Sequence, residues 1–197
     1  YIDITERIQM EEQVRHLAFY DPLTNLPNRR LLNDRLGQTM AASKRSGCYC
    51  ALMFLDLDNF KPLNDTHGHV VGDLLLIEVA SRLKSCIREM DTVARFGGDE
   101  FVVMLSDLNP DRDKSIALTG IVAEKIRNRL SDPYVLVLPG KGPAEATVEH
   151  RCTVSIGVTL FINHESGPDD ILKWADAAMY QAKDAGRNSI RYFEPAA

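Results

Sequence analysis

The chain has 197 residues, 45% of them hydrophobic, enough for one compact domain with its own core plus a helix or tail outside it. Its 23 basic and 28 acidic residues leave a formal net charge of −5, which argues against a broad nucleic-acid footprint; a phosphate ligand would need locally placed Lys and Arg. No run of roughly 18 apolar residues occurs, so no membrane-spanning segment is expected, and no signal peptide is visible. The four cysteines, Cys48, Cys50, Cys86 and Cys152, lack the spacing of a zinc site and read as reduced thiols, which points to the cytoplasm. Without an initiator Met, the chain reads as a piece of something longer.

In chain order, residues 5–20 are polar and helix-favouring, with Ile8, Met10, Val14 and Leu17 at mostly helical spacing. This predicts a helix ahead of the core, suited to link to another domain or to pair with a copy of itself, and broken by Asp21-Pro22. A second helix is expected over residues 28–46. The apolar run over residues 50–55 predicts a buried strand that ends in Asp56-Leu57-Asp58. Gly68-His69-Val70-Val71-Gly72-Asp73 reads as a turn with Gly at both ends, running into a helix over residues 71–88. Residues 92–96 and 100–105 form the strands of a tight hairpin around Gly97-Gly98. A helix over 111–130, a strand over 134–138, a loop over 139–146, one or two strands over 148–161, a helix over 169–185 and a short strand over 189–193 complete the pattern. Strands mixed with helices, including one hairpin, argue for an α/β domain with a mixed sheet.

The chemistry concentrates in a few places. Asp56 and Asp58 lie two apart at a strand end and so point to the same side. Carboxylates there suit a hard cation whose other positions are filled by substrate phosphates; the plainer alternative is that Asp58 starts a turn and Asp56 is solvated. If the hairpin pairs beside this strand, Asp99 and Asp56 can share metal across a triphosphate. Strand alternation predicts that Asp99 and Glu100 face opposite ways. Asn64 and Asp73 offer the donor and acceptors that match a guanine edge, or serve as a turn former and a helix cap. The Gly-ended turn suits an anion or nucleotide. Lys183 and Arg187 bracket Gly186 at a helix end, either as a phosphate clamp or as partners of the helix dipole. His67 and His69 lack further ligands and are not read as metal-binding.

Four blocks resemble the GGDEF family in order: residues 21–30 (Asp-Pro-Leu-Thr-Asn-Leu-Pro-Asn-Arg-Arg), residues 56–65 running into 68–73, residues 95–101 (Arg-Phe-Gly-Gly-Asp-Glu-Phe), and residues 179–188 (Met-Tyr-Gln-Ala-Lys-Asp-Ala-Gly-Arg-Asn). The resemblance covers roughly residues 20–193. It implies a palm-like mixed sheet flanked by helices, similar to nucleotidyl cyclases, and a diguanylate cyclase that condenses two GTP into cyclic di-GMP across a domain dimer. It implies Mg²⁺ or Mn²⁺, two per GTP, held by Asp56, Asp99 and the carbonyl of Leu57. Asp99, with Glu100, would take the proton of the 3′-hydroxyl, and Lys61 would steady charge on the phosphates. Asn64 and Asp73 would read guanine, His69 would line the pocket, and Lys183 and Arg187 would hold the terminal phosphates. Arg88 and Asp91 stand at the spacing of the family's Arg-x-x-Asp site for inhibitory product; otherwise they are a helix-end Arg and a strand-start Asp.

By the same resemblance, residues 1–20 are a linker helix from an upstream PAS-type sensor, 21–193 the GGDEF domain and 194–197 the start of a linker to an EAL phosphodiesterase domain. No nucleic acid or membrane contact is expected. The rival reading is a catalytically silent GTP- or cyclic di-GMP-binding module beside such an EAL domain. A purely structural dimerisation module would leave the acidic residues unexplained.

Overall fold

The structure, a computed structural model, describes residues 3–140, 146–163 and 165–195. Helix α1 (Ile4–Phe19) starts at Asp3, whose carboxylate accepts from the Thr5 N–H, and it buries none of its residues. Ile8, Met10, Val14 and Leu17 all stay exposed. Helix α2 (Arg29–Ser46) is capped by the Asn28 side chain, closes on left-handed Gly47, and buries Leu32, Leu36 and Met40 at helical spacing.

Strand β1 (Cys50–Leu57) runs through the middle of the sheet. Beyond it come α3 (Phe60–His67), α4 (His69–Cys86), the hairpin β2 (Thr92–Gly97) and β3 (Glu100–Leu105), α5 (Arg112–Ser131), β4 (Tyr134–Val137), β5 (Thr147–His150), β6 (Val154–Phe161), α6 (Pro168–Asp184) and β7 (Ile190–Tyr192). The main sheet has the order β2-β3-β1-β6-β7. Its neighbours are antiparallel except β6 and β7, which are parallel. β4 and β5 form a separate hairpin.

Alternation along β1 builds two cores. Ala51, Met53, Leu55 and Leu57 face one side, where Leu75, Val79 and Leu83 of α4 and Ala123, Ile126 and Leu130 of α5 cover them. Cys50, Leu52 and Phe54 face the other, under α2 and Ile171, Ala175 and Met179 of α6. Helices on both faces of a mixed sheet are the expected α/β architecture. Among the described residues, no helix is long and apolar enough to cross a membrane.

Two expectations need correction. Residues 60–67 form a helix, α3, where the sequence pattern predicts no element. Pro62 sits in its first turn, where a missing N–H costs nothing, so it does not break the helix. α3 and α4 meet at Gly68, and Gly72 lies inside α4 rather than before it. The hairpin turn is Gly98-Asp99, not Gly97-Gly98: a bulge between Arg95 and Gly97 carries β2 one residue further. Gly98, at φ 52°, takes the left-handed position of that turn. The loop expected over 139–146 lies largely outside the described residues.

Candidate active site

The site gathers where β1 ends. Asp56 is the Cα partner of Glu100 on β3 and of Ser155 on β6. Directly opposed antiparallel residues share a face, so Glu100 stands beside Asp56. Asp99 lies in the turn, outside the ladder, and its carbonyl accepts from the Leu57 N–H at 3.3 Å. Strand alternation therefore does not divide the two acids: both carboxylates act on Asp56 or are acted on by it. Burial, opposed by a bond from Lys183 and reinforced by the Asp99 charge, pushes the Asp56 carboxyl up to about 6. Burial and then the Asp56 and Asp176 charges also push Glu100 up. Asp176 of α6 is raised by burial and then by Asp56. On the Glu100 side a cavity of about 440 Å³ opens, lined by Arg29, Phe96, Glu100, Asp169, Lys173 and Asp176.

Asp58 has a different role from Asp56. It is fully buried, and its carboxylate accepts from Thr153 Oγ1 at 2.6 Å, Ser155 Oγ at 2.7 Å, Lys183 Nζ at 2.9 Å and the Asn188 N–H at 3.1 Å. Burial alone would raise its pKa, but these donors outweigh it and hold the carboxyl below its ordinary value. Asp58 thereby fastens the end of β1 to β6 and to the turn after α6. That turn carries Gly186, Arg187 and Asn188 at φ 106°, 65° and 43°, two of them left-handed without being glycine. Asp58 is thus the anchor of the segment that presents Arg187, an exposed side chain.

Lys183 Nζ lies 3.0 Å from Asp56 Oδ1 and 2.9 Å from Asp58 Oδ1, and donates to the Leu57 carbonyl at 3.3 Å. Burial would lower its pKa, but the bonds to Asp58 and Asp56 raise it instead.

On the other flank, Asn64 of α3 packs against Gly72 of α4 so closely that a Cβ there would collide with the Asn64 Oδ1. That oxygen is buried and has no partner among the described residues, an acceptor that a ligand N–H can satisfy. Lys61, His69 and Asp73 are exposed around the same joint. Among the described residues, no hydrogen bond or ion pair links Lys61, His69, Asp73 or Arg187 to the acidic centre.

The hairpin itself is held from behind. Arg95 Nη1 pairs with Asp21 Oδ1 at 2.9 Å, while its Nε and Nη2 donate to the Gly98 carbonyl at 3.1 and 2.8 Å. The Arg95 N–H donates to the Pro27 carbonyl, and the Asn28 side chain donates to the Ala18 carbonyl at the end of α1. Asp21 thus ties the end of α1 to the turn bearing Asp99. Asp21 also accepts from the Thr24 hydroxyl and N–H. Burial would raise the Asp21 carboxyl, but these bonds and Arg95 hold it below its ordinary 3.8. Its stabilisation is therefore fully present above pH 3.8 and is lost as pH falls through the lower folded value. Asp21→Ala is expected to cost about 1–2 kcal/mol at pH 7, with the gap to the parent protein narrowing below pH 3.8; thermal melts across that range check it.

Arg88 and Asp91 form a closed pair. Asp91 accepts from the Arg88 N–H, Nε and Nη2 at 3.1 to 3.2 Å and from the Ser106 N–H, and Arg88 Nη2 donates to the Ser106 carbonyl. Asp91 is a buried turn anchor, whereas the Arg88 side chain is 53% exposed.

The donor set near Asp56 is all oxygen, as a hard cation requires. Among the described residues, no three His, Cys, Asp or Glu side chains converge on one point. Two carboxylates and a carbonyl fit an ion that completes its shell with phosphate oxygens and water. Asp176, Asp21 and the Thr153-Ser155-Asn188 set around Asp58 escape sequence reasoning, because each joins the site only through tertiary contacts.

Three comparisons place this geometry. The profile of the family described as "Diguanylate cyclase, GGDEF domain" matches residues 18–189. The bifunctional diguanylate cyclase/cyclic di-GMP phosphodiesterase MucR of Pseudomonas aeruginosa is 41% identical over 190 residues, 96% of this chain, which spans 26% of MucR. The crystal structure of the GGDEF domain of TpbB from P. aeruginosa is 35% identical, with a TM-score of 0.76 over 88% of this chain and 99% of that one. The coiled coil and GGDEF domain of DgcB from Caulobacter crescentus, solved in complex with c-di-GMP, is 31% identical, with a TM-score of 0.77 over 95% of this chain and 93% of that one. Match, relatives and fold agree that this chain belongs to the GGDEF domain family of the diguanylate cyclases.

Proposed function

We propose that this domain is an active diguanylate cyclase. The 3′-hydroxyl oxygen of each GTP attacks the α-phosphorus of the other. Two P–O bonds form, two pyrophosphates leave, and the hydroxyl protons pass to enzyme carboxylates. The observation that carries the reading is the hairpin turn, which sets Asp99 against Asp56 and the Leu57 backbone at the end of β1. A bound Mg²⁺ or Mn²⁺, two per GTP, supplies charge neutralisation of the triphosphate, with Asp56, Asp99 and the Leu57 carbonyl as its protein ligands.

The chain's own residues do the rest. Asp99, with Glu100 beside it, accepts the proton of the 3′-hydroxyl. Lys61 offsets charge on the phosphates as the attack proceeds. Asn64, with its unpartnered oxygen, and Asp73 hydrogen-bond the guanine edge, and His69 lines that pocket. Lys183 and Arg187 hold the terminal phosphates. Phosphoryl-type transfer asks mainly for positioning and charge neutralisation, and this set supplies both. Each domain holds one GTP, so a homodimer is required. Product cyclic di-GMP binding at Arg88 and Asp91 would restrain that pairing. PAS and EAL neighbours in the parent chain, and a cytoplasmic setting, complete the proposal.

The test is incubation of concentrated protein with GTP and Mg²⁺, with chromatographic identification of the products. Cyclic di-GMP and pyrophosphate are expected, with a rate that rises faster than linearly with protein concentration. GTP binding without product would establish instead the silent regulatory module.

A further inference from the structure

We propose that Lys183 is a tethered cation that occupies the oxygen cage at the end of β1 in the nucleotide-free domain, so that metal enters this cage only together with nucleotide. The inference rests on the reading of Asp56 and the Leu57 carbonyl as metal ligands.

An ammonium group has three donors and no acceptor. Here three oxygens surround Lys183 Nζ: Asp56 Oδ1 at 3.0 Å, Asp58 Oδ1 at 2.9 Å and the Leu57 carbonyl at 3.3 Å. Two of the three are proposed ligands of the divalent ion. A divalent cation and an ammonium compete for these oxygens, because like charges held at such range repel each other. The domain therefore offsets part of the charge of its own acidic centre with a side chain, and a metal ion arriving alone must displace it.

The two carboxylates differ in what they keep when Lys183 leaves. Asp58 retains Thr153, Ser155 and the Asn188 N–H, so it stays satisfied. Asp56 has no other ion pair among the described residues and needs a replacement cation at once. Nucleotide phosphates resolve both demands, giving the ammonium new acceptors while filling the positions of the metal that the protein leaves open. A Lys side chain is built for this exchange, with a compact charge on a flexible four-carbon stem.

The experiment is Mn²⁺ binding to nucleotide-free protein, measured by the electron paramagnetic resonance of free Mn²⁺. Lys183→Met is expected to bind Mn²⁺ about tenfold tighter than the parent protein, ~1.4 kcal/mol, and Asp56→Asn added to it should abolish that gain. Equal or weaker binding by Lys183→Met overturns the proposal. A second measurement needs no variant. In ¹⁵N-lysine-labelled protein, the Lys183 ammonium signal should persist with Mg²⁺ alone and shift when Mg²⁺ is added with 3′-deoxy-GTP; displacement by Mg²⁺ alone overturns the proposal equally. Neither readout requires turnover. A protein that makes cyclic di-GMP yet fails both tests keeps its proposed function and loses the tethered cation. A protein that passes both and makes no product does the reverse.

Discussion

Asp99→Ala is expected to lower cyclic di-GMP formation by about 10³-fold or more, the scale of losing a group that stabilises the transition state directly. The same change should leave the fold intact. Asp99 sits in the Gly98-Asp99 turn rather than in the ladder, its carbonyl bond to the Leu57 N–H survives the change, and its side chain sets a like charge against Asp56. Removing that charge relieves repulsion, so the thermal midpoint should hold or rise slightly. Product chromatography and a circular dichroism melt on the same preparation check both halves. Undiminished synthesis by Asp99→Ala would remove the catalytic assignment.

For Asp58→Ala, by contrast, a large loss of stability is expected. Its carboxylate, itself buried, is the common acceptor of two hydroxyls, a backbone N–H and an ammonium. Truncation leaves those donors unsatisfied and Lys183 with one carboxylate fewer. Breaking one side of a buried ion pair costs about 3–5 kcal/mol, and urea denaturation should show a loss of that size. Asp58→Asn, which retains one good acceptor, should lose less. Because the turn bearing Arg187 hangs on Asp58, synthesis should fall as well, even at temperatures where the variant is folded. Parent-like stability of Asp58→Ala would show that Asp58 is not the anchor described.

These two acids lie in motifs that are equally plain to the eye, yet only part of their meaning was legible in the sequence. The buried strand β1 was, because a strand covered on both faces leaves an unbroken apolar run, and its acidic end follows directly. The hairpin was legible from its glycines, but not its bulge, since a one-residue slip leaves no mark on the pattern. Helix α3 was hidden by its eight-residue length and by Pro62. The difference between Asp56 and Asp58 was invisible because it depends on Thr153, Ser155, Lys183 and Asn188, brought in from another strand and from the end of α6. Asp21 and Arg95 stand 74 residues apart, and no local signal relates them.

The central position of β1 also sets a schedule for the chain. Its neighbours β3 and β6 and its anchor at Asn188, 130 residues beyond Asp58, are all supplied later in synthesis. Contacts of such long sequence separation close slowly. As the ribosome releases the polypeptide, the acidic tip of β1 must wait for α6 and the turn after it before its charges are matched. Any nascent or cleaved chain that stops short of α6 keeps the Thr153 and Ser155 bonds to Asp58 but lacks the Lys183 ammonium and the Asn188 N–H, so the charges at the tip of β1 are matched only when that final helix and its turn have docked.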